Sequence, residues 1–490
     1  MTPTRDGGKF LSEARLFPAD TATRSIAQRL YKEIKNLPIV SPHGHTQAQW
    51  FAANEPFPDP ARLFIVPDHY IFRMLYSQGV KLEDLGVGTY AQSAEAQKAF
   101  DPRAVWRIFA EHYYLFRGTP TRLWLDYIFQ NLFDLRERLT PKNADEYFDA
   151  ISEALARPEF LPRALYESFR IEVLATTDSP LDSLEHHIAL RKTGWRGRVI
   201  PTFRPDPVVD PEFADFATNV ARLGHETKED TSTWRGYLAA LRKSRERFKA
   251  AGATATDHGH PTAATADLDA IEATKLFDRV LRNAQPGTQI ESRTEHARDA
   301  ELFRAQMLTE MARMSLDDGL VMQLHPGAFR NHNADVHTRF GRDVGGDIPT
   351  ATDYVHALRP LLNRFGNDAR LTLIVFTLDE SAYSRELAPL AGHYPALRLG
   401  PAWWFHDSPE GMMRFRELTT ETAGFYNTVG FNDDTRAFLS IPTRHDVARR
   451  IDCSFLARLV AEHRLDEDEA RELAIDLAGN LARKAYKLEK

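Results

Sequence analysis

His43 and His45 stand one residue apart in "LPIVSPHGHTQAQW", residues 37–50, directly after a short apolar run. In an extended segment residues i and i+2 share a face, so both imidazoles can reach one point just beyond a strand end. This is the spacing of a metal-ligand pair, although paired histidines also occur as ordinary hydrogen-bonded surface groups. Two further candidates sit at the ends of other apolar runs: His325 in "QLHPG" and Asp434 in "NDDT". Three imidazoles and one carboxylate form a zinc-type shell with space for water or substrate. Taken singly, His325 can be a hydrogen-bonded loop histidine, and Asp434 a turn residue or helix cap. The metal reading therefore depends on whether one set of elements brings all four together.

Eight short apolar runs, each ending in polar residues, supply such elements. They are "LPIVSPHGH", "IEVLATTDS" from Ile171, "RVIPTFRPD" from Arg198, "GATATDHGH" from Gly252, "GLVMQLHPG" from Gly319, "LTLIVFTLD" from Leu371, "LRLGPAWWF" from Leu397 and "NTVGFNDDT" from Asn427. The fourth has the weakest strand character, being rich in Ala and Thr. Most gaps have the length of a crossover helix with its loops, and "DYVHALRPLLNRF" and "GMMRFRELTTET" read as amphipathic helices. Alternating βα units in this number predict an α/β fold, a distorted (β/α)8 TIM barrel whose functional residues converge at the carboxyl ends of the strands.

The expected organisation has four parts. Residues 1–45 are an N-terminal segment with the first strand, and residues 46–170 a helical insertion rich in aromatic text such as "AVWRIFAEHYYLFRGTPTRLWLDYIFQNLF". Residues 171–442 hold the rest of the barrel, and residues 443–490 are C-terminal helices packed on it.

Composition narrows the function classes. The 490 residues are 43% hydrophobic and 27% charged, with 62 Lys and Arg against 69 Asp and Glu, a formal charge of −7. No basic field exists for nucleic acid or an anionic membrane surface. The N-terminus mixes charges without an apolar signal core, and "LTLIVFTL" is too short to span a bilayer. A single cysteine, Cys453, cannot form an internal disulfide, which fits a cytoplasmic protein. The expected partner is a small molecule, with a homo-oligomer compatible with the chain.

Seven motifs, in order along the chain, carry a family resemblance: "DHYIFRMLYSQGV" from Asp68, "TTDSPLDSLEHH" from Thr176, "PTFRPD" from Pro201, "DHG" at Asp257, "QLHPGAFRNHN" from Gln323, "AWWFHD" from Ala402 and "DTRAFLSIPTRHD" from Asp434. With the His-x-His pair and the eighth-run aspartate, the chain resembles the amidohydrolase superfamily of metal-dependent barrels, and within it the uronate isomerase (glucuronate isomerase) branch. The resemblance implies interconversion of aldohexuronates and ketohexuronates, glucuronate to fructuronate and galacturonate to tagaturonate, in hexuronate catabolism. It also implies one divalent metal ion, zinc by preference, on His43, His45 and Asp434, with His325 either a further ligand or a substrate contact. By position, His69 and Tyr70 match the family's active-site pair, Arg204 and Arg436 its substrate-binding arginines, and Trp403 or Trp404 its seventh-strand site residue. Three departures stand out: Ser41-Pro42 before the His-x-His, Ser179 in "TTDSP", and Asp433 beside Asp434 in "FNDDTR".

The chemistry asks for the same residue types. Moving a proton between C2 and C1 needs a base, a group that polarises oxygen, and an anchor for the substrate carboxylate. Arg204 and Arg436 are the planar anchors, unless each is a structural ion pair. His69 and Tyr70 can relay protons between oxygens, and the C2 base is Asp434 or an ionised Tyr70. Two other functions compete: a metal-dependent hydrolase of the same superfamily, and a non-catalytic sugar-acid-binding barrel. The sixth run ends "FTLDE" without the histidine that such hydrolases commonly place there.

Overall fold

The structure, a computed structural model, describes residues 9–88, 97–98, 100–213, 215–285, 287–288 and 292–489. Its strands in chain order are β1 (Ile39–Ser41), β2 (Ile171–Asp178), β3 (Val199–Phe203), β4 (Ala255–His258), β5 (Val321–Leu324), β6 (Ala328–Phe329), β7 (Ile348–Pro349), β8 (Leu373–Val375) and β9 (Leu397–Leu399). Strands β1-β2-β3-β4-β5-β8-β9 lie side by side in one parallel sheet, whereas β6 and β7 form a small antiparallel pair of their own. Seven of the eight apolar runs are thus strands, including the Ala- and Thr-rich fourth, which pairs with β5 from Ala255–Val321 to His258–Leu324.

The eighth run continues the curl without a ladder. It bridges β9 only at Leu399–Thr428, and farther along the Thr435 carbonyl accepts the His45 N–H at 3.0 Å. Gly430 at φ 75° and Asp434 at φ 37° turn the chain out of the extended region, which prevents a regular strand. The fold is α/β, a distorted (β/α)8 barrel whose eighth position is held by irregular chain.

Period-2 alternation builds two layers from each strand. Val40, Val173, Ala175, Ile200, Ala255, Val321 and Ile374 form one buried cluster, while Phe203, Met322, Leu324, Leu373 and Val375 belong to the larger cluster shared with helices. Tyr486, near the C-terminus, joins the first cluster and donates its hydroxyl to Gln323 Oε1 at 2.8 Å. The strand ends are therefore anchored on a filled interior, as in packed barrels.

Between β1 and β2 lie the helices His69–Tyr76, Pro102–His112, Pro120–Asn131 and Ala144–Leu155 with shorter pieces. Their aromatic residues, among them Phe64, Trp106, Phe109 and Phe129, are fully or almost fully buried in a core of their own. The N-terminal helix Thr21–Ile34, capped by Asp20 accepting from the Thr23 N–H at 2.8 Å, packs on the long C-terminal helix Ile441–Ala461. In "DYVHALRPLLNRF" the helix covers only Arg359–Phe365, with Pro360 in its first turn. Proline lacks an N–H donor and is tolerated there but not in a helix interior, so the helix starts late. Among the described residues no helix is long and apolar enough to cross a membrane.

Candidate active site

His43 and His45 follow the end of β1, and both Nε2 atoms turn to one oxygen. Asp434 Oδ1 lies 3.4 Å from His43 and 3.2 Å from His45. The two rings stand nearly perpendicular, with centroids 5.3 Å apart. Asp434 adopts a left-handed backbone, which aspartate tolerates better than most residues and which is commonly retained where a side chain must be aimed. Its neighbour Asp433 is a different group: buried, and engaged with His445 Nε2 at 3.0 Å. Of the two adjacent carboxylates, only Asp434 meets the histidines.

His325, at the end of β5, stacks on His43 with centroids 4.7 Å apart, and its Nδ1 pairs with Asp257 Oδ1 at 2.6 Å. That bond fixes the ring, leaving His325 Nε2 buried without a hydrogen-bond partner, as is His43 Nδ1. Two sets of ligand atoms lie within 4.8 Å of one another, His43–His45–Asp434 and His43–Asp257–His325. Two imidazole nitrogens, His43 Nε2 and His45 Nε2, turned to one carboxylate oxygen fit a divalent metal ion, which would take a lone pair from each, and the partnerless His325 Nε2 adds a buried acceptor nearby. His43 is common to both sets; His325 does not fall in the set with His45 and Asp434. Asp257, which orients His325 and belongs to the second set, had no assigned role in the sequence beyond its place in "DHG".

Electrostatics follow from burial and pairing. Burial lowers His43, but the Asp434 and Asp257 charges outweigh it and leave the imidazole above its ordinary value. For His45 and His325 burial prevails and holds both below it. Burial by itself would raise Asp434, but His43 and His45 take it well below the usual carboxylate range. Asp434 is thus an anion at neutral pH.

These groups open into a cavity of about 440 Å³, within the range of small-molecule sites. His69, Tyr70, Arg204, Arg436, Trp403 and Trp404 all line it together with His43, His45, His325 and Asp434, so every candidate site residue of the sequence reaches the same space. Their states differ. Arg204 is 23% exposed and already paired, Nε to Asp206 at 2.8 Å and Nη1 to Asp257 at 3.0 Å. Arg436 is 40% exposed and, among the described residues, meets only Asp343, at 3.6 Å. His69, first residue of a helix capped by Asp68, has a buried, partnerless Nε2, and burial with help from Arg436 and Arg73 lowers its pKa to about 3. Trp403 donates to the Thr377 carbonyl at 3.0 Å and sets its ring edge against His325, whereas Trp404 meets His69 edge-on.

Tyr70 does not take the state that an ionised base requires. Its hydroxyl donates to Asp407 Oδ1 at 2.9 Å, and burial together with the Asp407 charge raises its pKa well above the ordinary value. Arg444, from the C-terminal helix, closes this network on Asp407 Oδ2 at 2.6 Å. Asp407 and Arg444 stand inside the quoted motifs "AWWFHD" and "DTRAFLSIPTRHD", but spacing alone carries no sign that they meet. Arg330 and Arg342, also in the cavity wall, were missed for a similar reason; Arg330 reaches Asp347 at 2.7 Å and lies over the Trp404 ring.

The family model for glucuronate isomerase matches residues 13–485. A uronate isomerase of Rhizorhabdus wittichii is 66% identical over 474 residues, 97% of this chain and 98% of that protein. One from Phenylobacterium zucineum is 63% identical over 475 residues, 97% of this chain and 96% of its own. Among solved structures, glucuronate isomerase from Caulobacter crescentus superposes with a TM-score of 0.93 at 58% identity, covering 98% of this chain and 97% of that one. Uronate isomerase from Thermotoga maritima gives 0.88 at 28% identity, covering 97% and 99%.

Proposed function

The chain belongs to the glucuronate isomerase family, and from that premise we propose how its barrel mouth carries out the family's reaction. The enzyme is an aldose–ketose isomerase acting on hexuronates, and neither hydrolysis nor mere sugar-acid binding is favoured. The observation that carries our reading is the convergence of His43 and His45 on Asp434 beside Arg436, all facing one cavity.

In this reading the uronate carboxylate is drawn to Arg436, whose weak 3.6 Å pairing with Asp343 is readily exchanged. Arg330 adds positive charge to the same cavity, and Arg204, committed to two carboxylates, acts mainly by holding Asp257 and through it His325. Asp434, anionic and aimed by its backbone, takes the proton from C2 of the open-chain aldose and returns it to C1. His69, neutral across the physiological range and with a partnerless Nε2, passes the hydroxyl proton between the two oxygens. Tyr70 positions the wall through Asp407 and through the Phe405 N–H that donates to its oxygen at 3.2 Å. Trp403 and Trp404 exclude water from one side.

His43, His45 and Asp434 would hold the metal, with His325 beside them; zinc suits this imidazole and carboxylate set. Bound there, it would supply positive charge to offset the negative charge that develops on the substrate oxygens as the proton leaves. The single buried cysteine, Cys453, supports a reducing cytoplasmic setting.

Incubation with glucuronate and with galacturonate, followed by NMR identification of the product, tests the function. Fructuronate and tagaturonate are expected. A cleaved product would transfer the site to the hydrolase reading, and binding without turnover to the non-catalytic sugar-acid-binding one.

A further inference from the structure

A third buried group of metal-binding side chains lies behind the mouth, and the isomerisation does not use it. Asp206, immediately beyond β3, His258 at the end of β4 and His260 two residues later each bring a ligand atom within 4.8 Å of the others. All three are buried, with 6%, 0% and 3% of their surface exposed. Alternation along β4 separates this group from the first site: Asp257 meets His325 and Arg204, so His258 projects from the other face of the strand.

The hydrogen bonds leave two nitrogens aimed at nothing. His258 Nε2 lies 3.1 Å from the Thr256 hydroxyl, and His258 Nδ1 is buried without a partner. His260 Nε2 is likewise buried and partnerless. The two rings stand at 87° with centroids 5.9 Å apart, a relation that lets two nitrogens face one point without stacking. Asp206 supplies the oxygen and is held by the Gly259 N–H at 3.2 Å. A Cβ at 259 would lie 2.0 Å from Arg204 Nη2 and 2.9 Å from Asp206 Oδ2, so any larger residue there would displace the Arg204–Asp206 pair. Asp206, Gly259 and Pro261 border the mouth cavity, which gives an ion a way in.

We propose that Asp206, His258 and His260 form a second divalent-cation site, separate from the cluster at His43, His45 and Asp434. Two imidazoles and one carboxylate suit a cation of borderline softness such as Zn2+, Co2+ or Ni2+, and suit Mg2+ or Ca2+ poorly. Three protein ligands leave a fourth position for water. An ion here shares Asp206 with Arg204, whose Nε donates to Asp206 Oδ2 at 2.8 Å, so its occupancy is linked through Arg204 to Asp257 and the active-site wall.

The full-length protein, stripped with a chelator, equilibrated with Co2+ and desalted, gives the test by metal analysis and visible spectroscopy. About two Co2+ per chain are expected in the wild type and about one after His43→Ala with His45→Ala. Adding His260→Gln should remove that remaining ion and its d–d bands, and His260→Cys in its place should return it with a thiolate charge-transfer band. A single wild-type equivalent that vanishes with His43→Ala and His45→Ala overturns the proposal, as does a residual ion indifferent to His260→Gln. Should the His260 variants not fold, X-ray absorption of the ion retained by the His43→Ala, His45→Ala protein decides: two imidazoles in its shell support the site, none refutes it. Failure of the first metal site would show separately, as an ion count that those two alanines leave unchanged.

Discussion

Arg204 and Arg436 face one cavity from two kinds of wall. On the β3–β4 side, Arg204 is clamped between the buried Asp206 and Asp257, and Asp257 in turn holds His325, so each charge has a close partner before any substrate arrives. On the side built from the irregular eighth run, Arg436 is 40% exposed and touches Asp343 only at 3.6 Å, while Asp434 pairs, among the described residues, with the two histidines alone. Close buried pairs cost much to separate and keep atoms in place; a loose, half-exposed pair exchanges partners cheaply. The first wall therefore positions, and the second recruits and reacts.

Three substitutions probe this division, in decreasing order of expected effect. Arg204→Ala should act first on stability, because it strands two buried carboxylates: a loss of about 3–5 kcal/mol is expected, seen as a clear drop in thermal midpoint. Unchanged stability with a raised KM alone would move Arg204 to the recruiting side. Arg436→Ala should leave the midpoint nearly unaltered while lowering kcat by at least about tenfold and kcat/KM by about a hundredfold, ~2.7 kcal/mol. Steady-state kinetics on both uronates, beside a melting curve, would show whether the arginine is instead structural.

The third substitution concerns Asp178, which ends β2 at the edge of the cavity and lacks an arginine. Burial raises its pKa from 3.8 to about 7, with the Thr176 hydroxyl and the Thr202 N–H opposing the rise. Between these two values the folded state holds a proton that the unfolded state has released, so stability falls as pH rises from about 4 to about 7. Asp178→Asn should therefore stabilise the protein at pH 8, by on the order of 1 kcal/mol, and give no such gain near pH 4. An equal effect at both pH values would show that its charge is not the cause.

The positioning scaffold was legible where local chemistry repeats. Eight apolar runs with polar ends were enough to place His43, His45, His325 and Asp434 at one mouth, since strand period and barrel closure act on every run alike. The eighth run deceived in part: "NTVGF" looks extended, yet Gly430 and Asp434 turn the chain, and only a bridge at Leu399–Thr428 remains. The supporting charges were not legible as partners. Asp257, Asp407 and Arg444 could be quoted inside motifs, but their pairing with Arg204, His325 and Tyr70 is decided by tertiary packing between remote segments. The N-terminal helix Thr21–Ile34 went unread because its meaning lies in its partner, Ile441–Ala461. Asp433 and Asp434 could be told apart only once His445 was seen to occupy the former.

The central claim is that the recruiting wall also holds the base, Asp434. Its most direct test is glucuronate turnover in deuterated water by wild type and Asp434→Asn, read by NMR with metal content measured on the same samples. The wild type should yield fructuronate whose C1 keeps hydrogen from C2 except where Asp434 exchanges it for solvent deuterium, and Asp434→Asn, even with metal restored, should be slower by at least about a thousandfold, ~4 kcal/mol. Turnover by Asp434→Asn within tenfold of wild type would contradict the account.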